Sequence, residues 1–205
     1  MSALRKATRR AAFAALLLIG PGHTYSAAID ETKAAGVMAA YMRHIAALTT
    51  WPGERVADTD QPILFGVVGD DPNGVMNPIR KRVNSTEGLL AHGRKIRIVD
   101  LKLPSDAGEN LEGVLAPCAL LFLSEGAQDE WARIQPAATS LPIVTVSEME
   151  GFAELGGMIE YFVDLGTGKV RLIVNLKTMR EAGIILSARL LALEAVTVLG
   201  DREDA

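Results

Sequence analysis

The chain has 205 residues, 49% of them apolar, 5% aromatic and 22% charged, with a formal net charge of −4. That length and apolar content suit one globular domain with a real core and leave little room for a second. The acidic balance argues against a nucleic-acid binder. A single cysteine, Cys118, excludes an intrachain disulfide.

At the N-terminus Arg5, Lys6, Arg9 and Arg10 precede the apolar run "AAFAALLLIG", and the small-residue stretch "PGHTYSAA" follows. Basic, apolar and small-residue regions in that order are the pattern of a secretory signal, and the apolar run is too short to span a bilayer. Cleavage is expected after Ser26 or Ala28, which leaves residues 29–205 as one domain. Losing four of the 21 basic residues and none of the 25 acidic ones moves the net charge to −8.

"DETKAAGVMAAYMRHIAALTTWP" reads as a helix with Val37, Tyr41, Ile45 and Leu48 on its apolar side, Asp30 as N-cap and Pro52 as its stop. "PILFGVVG" suits a strand buried on both faces, ended by the turn "GDDPNG". A helix, "VMNPIRKRV", a strand, "RKIRIVDL", a short helix, "SDAGENLEGVL", and an apolar strand, "CALLFLS", follow. "AQDEWARIQPAA" is helical up to Pro136, and "PIVTVS" is the next strand. Strands and helices in alternation predict parallel crossover units.

The last third changes character. "GMIEYFVDL" and "KVRLIVNL", separated by Gly166, Thr167 and Gly168, predict an antiparallel hairpin whose glycines supply positive backbone angles. "LKTMREAG" predicts a short helix stopped by Gly183. "ILSARLLALEAVTVL" predicts a terminal helix with Leu186, Leu190, Leu193 and Val196 on one stripe. The expected fold class is therefore α/β: a three-layer sandwich with a mostly parallel sheet, a C-terminal antiparallel hairpin and a terminal helix.

Chemical motifs are sparse. Asp70 and Asp71 follow a strand and could hold a metal, but "DPNG" reads more simply as a turn whose carboxylate caps the next helix. Gly66, Gly69 and Gly74 form no phosphate-binding pattern, and Ser124, Ser147 and Ser187 lie outside any nucleophile elbow. His44 and His92 are isolated, so no metal site is expected. Glu148, Glu150 and Glu154 in "TVSEMEGFAELGGMI" could pair as acid and base, though such carboxylates are usually solvated. The Gly156-Gly157 pair lets the chain swing from loop to hairpin without a side-chain clash. Arg171 and Arg189 suit a structural carboxylate, Glu154 for example, or an incoming anion.

"AAYMRHIAALTTWP", "GVVGDDPNG", "ALLFLSEG" and above all "PIVTVSEMEGFAELGGMIEYFVDLGTGKVRLIVNLKTMREAGIILSARLLAL" resemble the YfiR-like periplasmic proteins over nearly the whole mature chain. The resemblance implies a non-catalytic periplasmic regulator, with no cofactor. Such a protein represses a membrane-bound diguanylate cyclase by binding its periplasmic sensory domain, lowering cyclic di-GMP and biofilm formation. It also implies a homodimer and a small-molecule signal. Relatives often carry disulfide-forming cysteine pairs, which a chain with Cys118 alone departs from. On this reading Trp51, Phe152, Glu154, Arg171, Asn175 and Arg189 shape the partner- or ligand-binding surface. Two rival readings are a small-ligand sensor acting on a sensor histidine kinase, with its pocket near Asp70, and an exported hydrolase using the glutamates.

Overall fold

A computed structural model describes residues 31–53, 61–104 and 110–199. Helix α1 (Glu31–Leu48) leads into a two-residue strand, β1 (Thr49–Thr50). Next come β2 (Ile63–Val68), α2 (Asn77–Val83), β3 (Leu90–Ala91), β4 (Arg94–Asp100) and α3 (Leu111–Leu115). They are followed by β5 (Cys118–Leu123), α4 (Gln128–Ser140), β6 (Val144–Ser147), β7 (Ile159–Asp164) and β8 (Lys169–Asn175). The chain closes with α5 (Leu176–Glu181), β9 (Ile185–Leu186), α6 (Ala188–Leu191) and β10 (Val196–Leu199).

Eight strands form one sheet in the order β10-β8-β7-β6-β5-β2-β4-β3, and β1 pairs with β9 apart from it. From β4 to β7 all neighbours are parallel. The hairpin β7–β8 is antiparallel, as the glycine-marked turn predicted. Of its glycines only Gly168, at φ +66°, takes a positive angle.

β2 and β5 are apolar along their length because helices cover both faces of the sheet. β6 is buried just as fully, with Thr145 and Ser147 hydrogen-bonded among its valines. One core lies under α1 and α2 and includes Met42, Ile45, Phe65, Phe122 and Tyr161. The other lies under α3 and α4 and includes Leu121, Leu123, Trp131, Ile134 and Phe152. Cys118 is buried at the start of β5. Among the described residues no helix is long and apolar enough to cross a membrane.

Three expectations need correction. The buried side of α1 is Ala35, Met38, Ala39, Met42, Ile45 and Ala46, whereas Val37 is 38% exposed and Tyr41 and Leu48 are half-buried. The stripe is turned by about one residue, roughly 100°, and small alanines let the helix approach the sheet. Asp30 lies outside the described residues. Next, α4 continues through Pro136 to Ser140. An interior proline costs about 3 kcal/mol, and burying Trp131 and Ile134, worth ~1.5–3 kcal/mol for each large apolar side chain, offsets it.

The terminal helix is the third. The 185–199 segment is β9, a single helical turn and β10 instead. Ser187 Oγ accepts from the Arg189 N–H at 3.3 Å to start α6, and Val196–Leu199 then lies parallel to Leu172–Asn175. β-branched Val196, Thr197 and Val198 suit a strand. Leu193, on the supposed stripe, is 42% exposed.

Candidate functional site

β6 ends at Ser147, whose hydroxyl donates to the Leu123 carbonyl at 2.8 Å and accepts from the Met149 N–H at 3.0 Å. This local bonding turns the chain out of the sheet into the 148–158 loop. Met149 and Phe152 bury there, Phe152 with its ring centroid 4.8 Å from that of Trp131. Gly156 has φ +88°, and a Cβ on Gly157 would lie 2.2 Å from Phe152 Cε1. The glycine pair is thus a steric requirement of the loop-to-hairpin transition, as the sequence implied.

Side chains and turn hydrogen bonds share the loop's backbone: the N–H groups of Phe152, Leu155, Gly156 and Gly157 bond to loop carbonyls, and side chains take several of the rest. Glu160, 4% exposed, accepts the N–H groups of Gly151 and Ala153 at 3.1 and 3.0 Å. Asn175 donates Nδ2 to the Ala153 carbonyl at 2.9 Å, while its Oδ1 accepts from Thr178 N and caps α5. Thr145 Oγ1 accepts from Met158 N, and Gln135 Nε2 donates to the Leu155 carbonyl. A buried charge paired in this way holds a single geometry. Sequence reasoning missed Glu160; a lone carboxylate in the apolar strand "MIEYFV" was the signal for it.

The six residues singled out in the sequence do not form one surface. Phe152 and Asn175 meet around Ala153, and Arg171 shares their strand face, because residues 171, 173 and 175 alternate to one side of β8. Arg171 donates to the Glu194 carbonyl at 2.7 Å and stands 3.7 Å from Asp164 and 3.9 Å from the Glu194 carboxylate. Its partners are thus Asp164 and Glu194 rather than Glu154, which is exposed on the loop. Hydrogen bonds from the Thr167 hydroxyl and the Gly166 N–H hold Asp164 below the usual carboxylate range, with Arg171 adding to them. Trp51 is buried elsewhere: Nε1 donates to the Ala119 carbonyl at 3.0 Å, and its ring meets His92 edge-on. Arg189 is exposed on α6.

Of the three glutamates in the loop stretch, Glu148 is half-buried and Glu150 and Glu154 are exposed. Burial pushes the Glu148 carboxyl up; the Asn73 amide opposes this, and the charges of Asp71 and Glu125 reinforce it. Its Oε1 is enclosed without a hydrogen-bond partner. Asn73 also donates to Glu125 at 2.9 Å.

A concavity of about 700 Å³ opens at the carboxyl ends of β2 and β4, between α2 and α4. Asp70, Arg80, Asp100, Glu130 and Arg133 line it. Arg80 pairs with Asp100, and Arg133 donates to the Pro104 carbonyl. Asp71, at φ +50°, turns its carboxylate back onto the N–H groups of Val75 and Met76 at 2.8 and 3.0 Å. The turn read from "DPNG" is present, with Gly74 N–H on the Asp71 carbonyl, but the expected carboxylate cap is not: α2 starts after Met76 with no side-chain hydrogen bond to its first turn, because Asp71 is engaged by the two N–H groups before it. Among the described residues no group of three or more His, Cys, Asp or Glu side chains is placed to hold a metal ion.

No curated protein matches the chain significantly. The pattern of the YfiR/HmsC-like family matches residues 35–194, from within α1 to just short of β10, and the chain belongs to that family.

Proposed function

We propose that the protein is a periplasmic regulator acting by contact: it represses a membrane-bound diguanylate cyclase by holding that enzyme's periplasmic sensory domain in an inactive geometry. Family membership over residues 35–194 is the observation that carries this reading. The interlocked 147–160 loop and hairpin support it, because a docking face must keep its shape when a partner leaves. A signal that weakens the contact needs only differential affinity for two states, a coupling of about 1–3 kcal/mol. Cleavage of residues 1–28 and assembly as a homodimer belong to the same reading. Capture of partners from inner membranes with the exported protein tests it. Recovery of a diguanylate cyclase is the expected result, and recovery of no membrane signalling protein would overturn it.

The crevice lined by Asp70, Arg80 and Arg133 favours a second reading, a small-ligand sensor component acting on a sensor histidine kinase. Ligands of open α/β sheets gather at such strand ends. Capture of a kinase in place of a cyclase would turn the choice toward it.

A further inference from the structure

β6 pairs with β7 only at Val146–Ile159 and Ser147–Glu160, whereas β7 pairs with β8 along its whole length to Asp164. Phe162, Val163 and Asp164 therefore run on past the end of β6 with a strand partner on one side alone. On the other side the chain leaving Ser147 turns away and opens a notch. Two cavities of about 280 and 620 Å³ lie at this notch and share Met38, Asn73, Glu125, Glu148 and Val163 in their walls. Together they form an elongated groove beside an open strand edge.

The lining is of two kinds. Met38, Val75 and Val163 make an apolar wall, and Phe162 and Leu165, 37% and 84% exposed, extend it along the hairpin. Glu125, Glu148 and Glu150 supply negative charge, and among the described residues no lysine or arginine lines either cavity. Glu160 also borders the groove, but Gly151 and Ala153 already occupy its oxygens. An enclosed carboxylate oxygen such as Glu148 Oε1 is costly to leave without a donor.

We propose that this groove takes an extended segment of a partner protein in which lysine or arginine alternates with apolar residues, laid along Phe162–Asp164 as an added strand. The open backbone edge supplies affinity without regard to sequence, as in other strand additions. The carboxylates and apolar wall select the side chains, and a lysine ammonium gives Glu148 Oε1 its missing donor. This rests on the reading of the protein as a contact regulator and names the face through which it would act.

The test is anisotropy of a fluorescent nine-residue peptide alternating lysine and valine, titrated with the whole protein. Binding is expected. A glutamate-valine peptide should bind at least about tenfold more weakly, as should the lysine peptide N-methylated at alternate amides. Glu125→Gln combined with Glu148→Gln should weaken the lysine peptide about tenfold, and so should Leu165→Lys, whose exposed position leaves folding untouched. Equal binding of the lysine and glutamate peptides, or affinities unchanged in both variants, would overturn the proposal. Repression of a co-expressed cyclase is measured in parallel. Repression without peptide binding removes the groove and leaves the regulator reading standing, whereas peptide binding without repression supports the groove and removes that reading.

Discussion

Glu160 and Ala153 are joined by a 3.0 Å hydrogen bond from the alanine N–H to the buried carboxylate, so a strand residue fixes a loop residue seven positions before it. The other oxygen of Glu160 holds Gly151 in the same way. Glu160→Ala leaves two N–H groups without a partner and should cost about 2–6 kcal/mol, taking ~1–3 kcal/mol for each unsatisfied group. Glu160→Gln retains one acceptor and should cost less. Urea denaturation of both variants checks the order, and equal losses would mean that the loop is held by other bonds.

Gly157 and Phe152 make the second prediction. Gly157→Ala drives a methyl into the Phe152 ring, and overpacking of this kind costs about 1–3 kcal/mol. Phe152→Ala alone should cost about 3–5 kcal/mol by leaving a cavity beside Trp131. The double variant should be less destabilised than the sum of the two, since the ring that clashes is gone. Strict additivity in the double-mutant cycle would show that the clash is relieved by another route.

The pH dependence of stability separates Glu148 from Asp164. The folded state raises the Glu148 pKa above its ordinary value, so folding holds a proton that the unfolded chain releases. Its contribution to stability is greatest below about 4.5 and falls as pH rises through the raised value. Glu148→Gln should therefore be more stable than the wild type at neutral pH, and the difference should vanish in acid. Asp164 has the opposite sign: its lowered pKa contributes stability at neutral pH that is lost on acidification through the folded value. Thermal melts of Glu148→Gln and Asp164→Asn across pH 3–8 should show difference curves of opposite slope.

Arg171→Glu tests the hairpin face directly. The pairs it breaks are partly exposed, and such pairs contribute about 0–1 kcal/mol, so the melting temperature should move little. A co-expressed cyclase should be derepressed, and cyclic di-GMP should rise by about fivefold or more if coupling lies in the usual range. Unchanged cyclic di-GMP beside a preserved melting curve would remove Arg171 from the contact face.

Particular elements show which features were legible in the sequence. The apolar runs of β2 and β5 and the hairpin with Gly168 at its turn are written locally, because a strand buried on both faces is best filled by apolar residues and a tight turn needs a positive φ. The Gly156-Gly157 pair and the turn at Asp71 were legible for the same reason, whereas the carboxylate cap expected on the next helix is not formed. The 185–199 segment was not. Its leucines repeat at helical spacing, yet an available strand edge on β8 provides hydrogen bonds that no local periodicity reveals.

The candidate site divides along the same line. By itself the sequence determined the family, the alternation of strands and helices, and the residue types of the loop, since these depend on nearest neighbours and on backbone angles. Only the tertiary structure decided that Glu160 and Asn175 reach back to bind the loop, that Arg171 faces Asp164 and Glu194, and that Trp51 lies in a separate core contact. It alone placed the end of β6 two residues into β7, leaving an open edge beside Glu148 and Glu125. The physical reason is that register and facing between distant segments follow from how whole faces pack, and packing energy is shared among residues far apart in the chain.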